Sequence, residues 1–417
     1  MQTPPEKKTD PTKKNIFELP EIAKEVAKHG PGLLLALTSK TARRALHEVR
    51  SEAPFVVSPD FMPTGGDDRY MSAEARRVLR RDTVLSALQL TATQHNLTSI
   101  VMPHVHLPTF TLRIARVIAR CPLLKKLDLQ SCGIQDWRYI APALRNCPLL
   151  AHLNLSQNYV GGRIPMLQLV DSLVLLPALS HLDMHECNLT QCFDVLIPVL
   201  PQLPALRHLD VSMNALHAAE IRNFFNIIDT CPALHSLVFN HSNVDPMLSR
   251  FLGRKLLHCH SLRKLDLASN RIGRAGLVYI TKGNRMARIT HLDLTHNMID
   301  AANDEGTILH FRAALRYSRV LTHLVLKNNR LGNRFMQGVV AELPQCPSLV
   351  ELDLDGCFIS DAGVIDLAQA IPQCRSLAVL RLQDNLLTQP AKTQITNAWI
   401  AKHNSTEGLF LDALDAD

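Results

Sequence analysis

Histidine and aspartate recur beside leucine in this sequence, and their types and spacing point most directly to binding chemistry. Because imidazole titrates near neutral pH, a surface lined by both residue types would bind a partner with an affinity that changes near the histidine pKa. The alternative interpretation is that His-Leu-Asp-Leu is only a common form of a repeated phrase, in which each aspartate helps to orient the neighbouring histidines. The residues predicted to bind a partner are His152, His181, Asp183, His208, Asp210, Asp266, His291, Asp293, His323 and Asp353.

The ten cysteines and the other candidate ligands do not predict a metal centre or an active site. Nine of the cysteines recur at two fixed positions of a repeated pattern, which is typical of small buried residues and not of a disulfide framework or a zinc cluster. Serine, histidine and aspartate occur without a nucleophile elbow, a phosphate-binding loop or a dinucleotide fingerprint. The sequence therefore predicts that the protein is not an enzyme, with no catalytic residues, no metal ligands and no cofactor.

A repeat positions these side chains. Segments such as LKKLDLQSCGI (Leu124–Ile134) and LRKLDLASNRI (Leu262–Ile272) are apolar at positions 0, 3, 5 and 10 and carry Asn or Cys at position 8. The alternation predicts a short strand, and the polar residue at position 8 predicts a turn. The segment after the turn predicts a helix, which ends before a proline. The pattern starts at Leu97, Leu124, Leu150, Leu179, Leu206, Leu234, Leu262, Ile289, Leu321, Leu349 and Leu377. The longest spacing, from Ile289 to Leu321, predicts an inserted loop around residues 300–306.

This pattern is the leucine-rich repeat, and its length and phrases such as Arg271-Ile272-Gly273 resemble the ribonuclease-inhibitor-like subclass. The resemblance implies an α/β fold, a leucine-rich-repeat solenoid (horseshoe) of about eleven strand–helix repeats, with strands inside and a small α-helical N-terminal cap. Histidines and aspartates beside the strand leucines would then face the concave surface. The expected divisions are residues 1–14 as a disordered tail, 15–50 as a helical region, 51–90 as a loop and leading helix, 91–390 as the repeats, and 391–417 as a C-terminal cap and acidic tail.

The N-terminal helical region also resembles an F-box, a three-helix module that docks onto a Skp-type adaptor of a cullin ubiquitin ligase. The resemblance rests on a Leu-Pro step, two apolar residues four apart, a Gly-Pro-Gly turn and a leucine-rich stretch. It implies that the adaptor would contact Leu19, Pro20, Ile22, Val26, Leu33 and Leu34. The alternative is a plain helical cap, since the first repeat of any solenoid needs a cover.

Composition excludes several classes of function. The 417 residues include 45 basic and 38 acidic side chains, and the small positive surplus is divided evenly between the first 90 residues and the rest, unlike that of a nucleic-acid-binding protein. The longest apolar runs are far shorter than the roughly 20 residues of a membrane helix, and the first residues do not resemble a secretory signal. We therefore expect a cytoplasmic protein, with a cytoskeletal or nuclear location left open, that binds neither nucleic acid nor membrane.

The predicted function is a non-catalytic scaffold that holds a protein partner on the concave face of its repeats. The first alternative is an F-box-type substrate receptor of a cullin ubiquitin ligase, which would also bind a Skp-type adaptor. A second alternative is a GTPase-activating horseshoe of the Ran type, which the short acidic end Asp412–Asp417 resembles only weakly.

Overall fold

The structure is a computed structural model that describes residues 33–34, 55–56, 97–105, 107, 111–282, 286 and 288–412, the first two pairs as backbone only. The chain divides into two units, residues 1–153 and residues 154–417. From residue 99 onward short strands alternate with helices, and within each unit the strands of neighbouring repeats lie parallel to each other. This is the α/β architecture of a leucine-rich-repeat solenoid.

The described residues of the first unit form four short parallel strands and two helices. The strands are β1 (Leu33–Leu34), β2 (Phe55–Val56), β3 (Ser99–Val101) and β4 (Lys126–Asp128), and the helices are α1 (Thr111–Ile118) and α2 (Ile140–Leu144). β1 pairs with β2, β2 with β3, and β3 with β4, all in parallel. Strand β5 (His152–Asn154) lies at the boundary between the two units.

The helical interpretation of Leu33 and Leu34 is wrong, because these residues form a strand. Phe55 and Val56, which the sequence places in a loop, form the strand that joins them to the first repeat. Pairing with a neighbouring strand satisfies backbone groups that a sheet edge leaves open, and this tertiary gain outweighs a local helical preference. The other residues assigned to the adaptor contact, Leu19, Pro20, Ile22 and Val26, lie outside the described residues.

The second unit continues the pattern with nine strands and ten helices among its described residues. The strands are β6 (His181–Asp183), β7 (His208–Asp210), β8 (Ser236–Val238), β9 (Lys264–Asp266), β10 (His291–Asp293), β11 (His323–Val325), β12 (Glu351–Asp353), β13 (Val379–Arg381) and β14 (Leu409–Phe410). The helices are α3 (Arg163–Leu173), α4 (Phe193–Leu196), α5 (Ala218–Ile227), α6 (Pro246–Leu256), α7 (Gly273–Thr281), α8 (Glu305–Tyr317), α9 (Gly332–Glu342), α10 (Asp361–Val364), α11 (Leu367–Ala370) and α12 (Gln389–His403). Short 3-10 turns follow four of them, at Ile197–Gln202, Ile228–Thr230, Leu343–Gln345 and Ile371–Gln373.

Leucines at position 3 form the centre of the core. From β6 to β13 each pairs with its counterpart in the next strand, as Leu292 does with Leu324, and they are almost completely buried. Side chains on successive strand residues point to opposite faces, so burial of position 3 leaves positions 2 and 4 on the other face of the sheet. The repeat register therefore decides which side chains are available to a partner.

Asparagine at position 8 bonds the turns of consecutive repeats together. Asn214, which is fully buried, accepts hydrogen bonds from the backbone N–H groups of Cys187 and Leu189 through its Oδ1, each at 3.0 Å. Its Nδ2 donates to the carbonyl oxygens of Met184 and Val211 at 2.9 Å and of Ser212 at 3.0 Å. The same five-bond arrangement recurs at Asn270, Asn329 and Asn385. Buried backbone groups with no partner on a strand are satisfied in this way.

All ten cysteines are buried and form no disulfide, as predicted for the nine at repeat positions; the tenth, Cys192, lies outside the pattern and is buried as well. Where cysteine replaces asparagine at position 8, its thiol donates to a carbonyl of the preceding repeat, as Cys187 does to Leu155 at 3.2 Å. Burial raises the pKa of Cys187 and Cys357 to about 12. Thiols with such a pKa remain protonated at neutral pH and are poor nucleophiles.

The predicted insertion is confirmed between β10 and α8. Eleven residues (294–304) separate Asp293 from Glu305, whereas seven (211–217) separate Asp210 from Ala218 in a repeat of ordinary length. Asp304 ends the insertion by capping α8, since its side chain accepts from the backbone N–H groups of Gly306 and Thr307. A side-chain cap of this kind satisfies the first free N–H groups of a helix.

A buried glutamate holds two outer helices together. Glu342 at the end of α9 has a side chain only 2% exposed, and it accepts from Arg312 at 2.9 Å and from Arg316 at 2.6 Å, both on α8. Hydrogen bonding from Arg316 is the main cause of its lowered pKa. This contribution to stability is therefore present above the unfolded-state pKa and lost as pH falls through the folded-state pKa.

Replacement of Glu342 by glutamine is expected to lower the free energy of unfolding by about 1–2 kcal/mol, because charge-assisted bonds are lost while both arginines can regain water. Urea unfolding followed by circular dichroism measures the change. The control is Glu305→Gln, whose partner Arg334 is 3.2 Å away and whose pair is largely exposed. An exposed pair contributes about 0–1 kcal/mol. If Glu342→Gln and Glu305→Gln lower the free energy of unfolding equally, the buried position of Glu342 adds nothing to stability and the prediction is wrong.

Candidate functional site

The strand face of the second unit is the candidate site, defined as the side chains at positions 2 and 4 of β6–β13. Parallel pairing aligns position 2 of each strand with position 2 of the next, and position 4 likewise. The position 2 row is His181, His208, Ser236, Lys264, His291, His323, Glu351 and Val379. The position 4 row is Asp183, Asp210, Val238, Asp266, Asp293, Val325, Asp353 and Arg381. Neighbouring strands lie about 4.8 Å apart, so each row is a line of closely spaced side chains.

Nine of the ten predicted partner-binding residues lie in these two rows. The tenth, His152, is exposed but belongs to the first unit. Asp353 is 7% exposed, so it is the least accessible of the predicted aspartates. The histidines and aspartates of the second unit therefore share one face, as the repeat predicts, but they differ in how much of each side chain a partner could contact.

The histidines form two pairs. His291 and His323 are stacked, with ring centroids 4.1 Å apart and ring planes 10° from parallel. His181 and His208 are 5.7 Å apart and tilted by 32°. A hydroxyl group lies at Nδ1 of each ring, at 2.8–2.9 Å: Ser180, Ser236, Thr290 and Thr322 contact His181, His208, His291 and His323, respectively.

These hydroxyl residues were missed by sequence reasoning. Three of them immediately precede the histidine they contact, so the dipeptides Ser180-His181, Thr290-His291 and Thr322-His323 carried the signal. The fourth, Ser236, belongs to the next strand and becomes a partner of His208 only through the parallel register.

The aspartates have a different structural role from the one expected. The interpretation that each aspartate orients neighbouring histidines is replaced by bonds to the turn that follows each strand. Oδ1 of Asp183, Asp210, Asp266, Asp293 and Asp353 accepts from the backbone N–H two residues later, at 2.8–3.0 Å. A short acidic side chain after a strand commonly forms such a bond to its own turn. One carboxylate oxygen of each residue thus stabilises the repeat.

The two ends of the strand face differ in their charge. Near β12 and β13 cations and anions are paired, since Arg381 lies 3.2 Å from Glu351 and Lys327 lies 3.3 Å from Asp355. Towards β6 the position 4 row is acidic. Burial, with Asp293 and Asp210 nearby, raises the pKa of Asp266, while hydrogen bonds from Ala268 and Asn240 oppose the shift.

Two histidines of the strand face, His291 and His208, have a pKa below the usual value. Burial lowers the pKa of His291 to about 4, with contributions from His323 and Lys264 and an opposing one from Glu351. Burial also lowers the pKa of His208. The change in affinity that the sequence predicts near the usual histidine pKa is therefore displaced to more acidic solution for His291.

Acidification is expected to destabilise the fold through His291. Between its ordinary pKa of 6.5 and its folded value of about 4, the unfolded chain binds more protons, so stability falls as pH falls. Asp353 acts in the opposite direction, because burial raises its pKa from 3.8 to about 6 and the folded chain binds more protons between these values. Urea midpoints at pH 7.5 and pH 5.0 test both. The urea midpoint is expected to fall less on acidification in His291→Gln than in the unchanged chain, and to fall more in Asp353→Asn. If either variant shows the same fall as the unchanged chain, that side chain does not cause the pH dependence.

No cluster of three or more potential metal ligands of the His, Cys, Asp or Glu type occurs among the residues that the structure describes. In the same part of the chain no helix combines the length and apolar character that crossing a bilayer requires.

The fold and this face define a class of protein. Parallel strands from consecutive repeats, an Asn or Cys at the turn of nine of the eleven repeats and outer helices make the chain a leucine-rich-repeat protein. The family model described as "Leucine Rich repeat" matches residues 120–136, 258–280 and 345–368.

Known proteins specify the subclass. The chain is 27% identical to the ribonuclease inhibitor of Sus scrofa over 318 residues, which cover 68% of this chain and 69% of that protein. It is 25% identical over 285 residues to the Tonsoku-like protein of Danio rerio, covering 63% of this chain and 20% of that protein. An internalin structure from Listeria monocytogenes aligns at a TM-score of 0.49 and 18% identity, covering 78% of this chain and 76% of that one. The chain is a leucine-rich-repeat protein of the ribonuclease-inhibitor-like subclass.

These relatives indicate a general role. One is named as an inhibitor, and the matched family model describes a repeat and not a catalytic domain. Leucine-rich repeats expose an extended surface to other molecules, and the fold of this chain is consistent with protein–protein interaction.

Proposed function

We propose that the chain is a non-catalytic scaffold that binds a protein partner on the strand face, the concave face of the horseshoe that the repeats imply. The observation that carries this proposal is the register of β6–β13, which collects nine predicted binding residues on one face. Hydroxyl partners of the histidines and turn bonds of the aspartates hold these side chains in place before a partner arrives. Such preorganisation lowers the entropic cost of binding.

The similarity to the ribonuclease inhibitor adds support, because that protein's name describes an inhibitor of an enzyme and hence a protein that acts on another protein. A cytoplasmic location, with cytoskeletal or nuclear assemblies as possible sites of action, fits a protein of this kind and forms part of the proposal.

Affinity purification with mass spectrometry tests the proposed surface. The full chain is compared with Lys264→Glu, on the strand face, and with the matched control Arg222→Glu, exposed on helix α5. A partner that binds the strand face should change in recovery with Lys264→Glu, by loss of an acidic partner or enrichment of a basic one, and should be unchanged with Arg222→Glu. Unchanged recovery with Lys264→Glu, or a change only with Arg222→Glu, would place the interaction elsewhere and overturn the proposal.

A second candidate function, substrate receptor of a cullin ubiquitin ligase, is favoured only by the Leu-Pro motif at Leu19-Pro20 and the apolar residues after it. The same purification decides it when the full chain is compared with a chain that lacks residues 1–50. Recovery of a Skp-type adaptor and a cullin with the full chain alone supports the receptor. Recovery of the same partners with both chains, and of no ligase component, supports the scaffold.

A further inference from the structure

The stacked pair His291 and His323 has a tautomeric state that the surrounding hydrogen bonds determine. The hydroxyl of Thr322 donates to the carbonyl oxygen of Thr290 at 2.8 Å, and the hydroxyl of Thr290 donates to that of Arg263 at 3.1 Å. A hydroxyl has one hydrogen, and a carbonyl oxygen can only accept. Each threonine oxygen must therefore accept from the histidine beside it, so both rings carry hydrogen on Nδ1.

It follows that Nε2 of both rings is an acceptor when the rings are neutral. The lowered pKa of His291 keeps that ring neutral in ordinary buffers. Nε2 of His323 lies 3.8 Å from Oε2 of Glu351, a second acceptor, so a donor placed between them would satisfy both. The pair thus presents lone pairs, and not N–H groups, to a partner.

A second acceptor on the same face has no donor. Oδ1 of Asn240, at the end of β8, is buried without a hydrogen-bond partner, while its Nδ2 donates to Oδ2 of Asp266 at 3.2 Å. A buried polar atom left without a partner costs free energy, about 1–3 kcal/mol in typical cases. Because this oxygen is enclosed, Asn240 contributes to the face by positioning the carboxylate of Asp266 through Nδ2 and not by contacting a partner.

The acidic part of the position 4 row supplies the matching charge. Asp210, Asp266 and Asp293 stand on β7, β9 and β10, and mutual repulsion contributes to the raised pKa of Asp266. A cation placed among these carboxylates would relieve the repulsion. The exposed cation in this region is Lys264, which stands in the position 2 row between Ser236 and His291. Three carboxylates against one ammonium leave this part of the face negative.

We propose that β7–β11 bind a basic protein segment through arginine, with guanidinium N–H groups donating to His291, His323, Asp266 and Asp293. A planar guanidinium offers five N–H donors and no acceptor, which matches a surface of acceptors better than a carboxylate, an amide or a single ammonium does. The structure contains an example nearby, since the guanidinium of Arg381 pairs with Glu351 at 3.2 Å. This inference rests on the proposed function, because it names the partner of the same face.

Fluorescence anisotropy with labelled peptides provides the test on the full chain at about 0.15 M salt, where exposed charges are screened beyond roughly 8 Å. Three peptides of equal length alternate glycine with arginine, with lysine or with uncharged citrulline. The expected order of affinity is arginine, then lysine, then citrulline, with at least a tenfold difference between the first and the last. Equal affinities for the arginine and citrulline peptides would overturn the proposal.

Matched variants localise the binding. Asp293→Asn keeps an Oδ1 that can accept from Thr295 but removes the charge, and His323→Phe keeps an aromatic ring in the stack but removes Nε2. Each is expected to weaken the arginine peptide about five- to tenfold, in keeping with the 1–3 kcal/mol of a charge-assisted hydrogen bond. The control is Asp171→Asn, which removes an equal charge from exposed helix α3. Equal weakening by Asp171→Asn would show binding by net charge alone and overturn the proposal.

The pH dependence gives a further readout. Lys264, Glu351, Asp266, Asp293 and Arg381 are the charged groups that surround the histidine pair on this face. Since His291 remains neutral, the part of any change in affinity for the arginine peptide between pH 8 and pH 6 that His291→Gln removes is expected to be less than twofold. A fivefold or larger loss at pH 6 that His291→Gln abolishes would show that the ring gains a proton in this range, contrary to the proposal.

The outcomes also separate this inference from the proposed scaffold. If Lys264→Glu changes the recovery of a natural partner but the arginine peptide binds no better than citrulline, the scaffold stands and the basic partner is wrong. If the arginine peptide binds and Asp293→Asn weakens it while Lys264→Glu leaves the recovery of every natural partner unchanged, the acceptor surface stands and the scaffold proposal fails.

Discussion

Replacement of Trp399 by alanine is expected to lower the free energy of unfolding of the second unit by about 3–5 kcal/mol, the usual cost of removing a buried tryptophan. Trp399 is fully buried on α12, with its ring 4.1 Å from that of His403. Its Nε1 donates to the carbonyl oxygen of Glu407 at 3.1 Å, immediately before the turn into β14. One side chain therefore fills the end of the core and positions the last strand.

The backbone after Trp399 depends on this packing. Gly408 has a φ of +81°, and a Cβ there would overlap the carbonyl oxygen of Ala378, so β14 approaches β13 closely only because glycine stands at this point. We expect loss of Trp399 to release β14, which leaves β13 as an open edge.

Hydrogen exchange and urea unfolding measure both effects. The amides of Leu380 and Leu382, which donate to Gly408 and Phe410, should lose protection first. The control Ile400→Ala removes a neighbouring side chain that is 40% exposed, and its cost should be about 1 kcal/mol or less. Trp399→Phe, which keeps much of the volume, should lie between the two. If Trp399→Ala lowers the free energy of unfolding no more than Ile400→Ala does, Trp399 does not form the end of the core as proposed.

Replacement of Asn214 by alanine is expected to destabilise the second unit by roughly 3–5 kcal/mol. The substitution leaves the buried N–H groups of Cys187 and Leu189 without their acceptor and three carbonyl oxygens without a donor. An unsatisfied buried group typically costs about 1–3 kcal/mol, and alanine also leaves a small cavity.

Two variants define what the asparagine contributes. Asn214→Cys can keep a bond to Met184, because Cys187 makes the corresponding bond to Leu155, so we expect a loss smaller than that of alanine. Asn223→Ala, on the exposed side of α5, changes the same residue type where no turn depends on it and should alter stability by less than about 0.5 kcal/mol. Chemical denaturation of the three variants in parallel gives the comparison. If Asn214→Ala lowers the free energy of unfolding no more than Asn223→Ala does, water replaces the Asn214 side chain in the turn and the prediction is wrong.

The leucine-rich-repeat fold could be predicted from the sequence because its signals are local and repeated. Apolar residues at positions 3 and 5 and Asn or Cys at position 8 each have one physical role, which holds wherever the phrase occurs. Their burial and bonds at Leu324, Asn329 and Cys357 are those that the pattern predicts. The wrong expectation arose where the repeat is absent. At Leu33 and Leu34 a leucine-rich stretch indicated helix, but pairing with Phe55 and Val56 makes it a strand.

The candidate face was predicted in part. Sequence placed His291, His323 and Asp293 on one surface, because strand periodicity fixes which side a residue faces. The sequence suggested that the aspartates orient the histidines. In the structure one carboxylate oxygen of each aspartate accepts a hydrogen bond from the turn that follows, as Asp293 does from Thr295. That choice depends on backbone N–H groups whose positions are set only when the turn has formed.

The sequence by itself determined the repeat, the direction of the strand side chains and the burial of nine of the ten cysteines, since all three follow from the spacing of residues within one repeat. Only the tertiary structure decided which residues of different repeats become neighbours: Ser236 with His208, His291 with His323, and Asn240 with Asp266. The reason is physical, because tautomers, shifted pKa values and unsatisfied acceptors arise from groups some 30 residues apart that strand register brings within hydrogen-bonding distance.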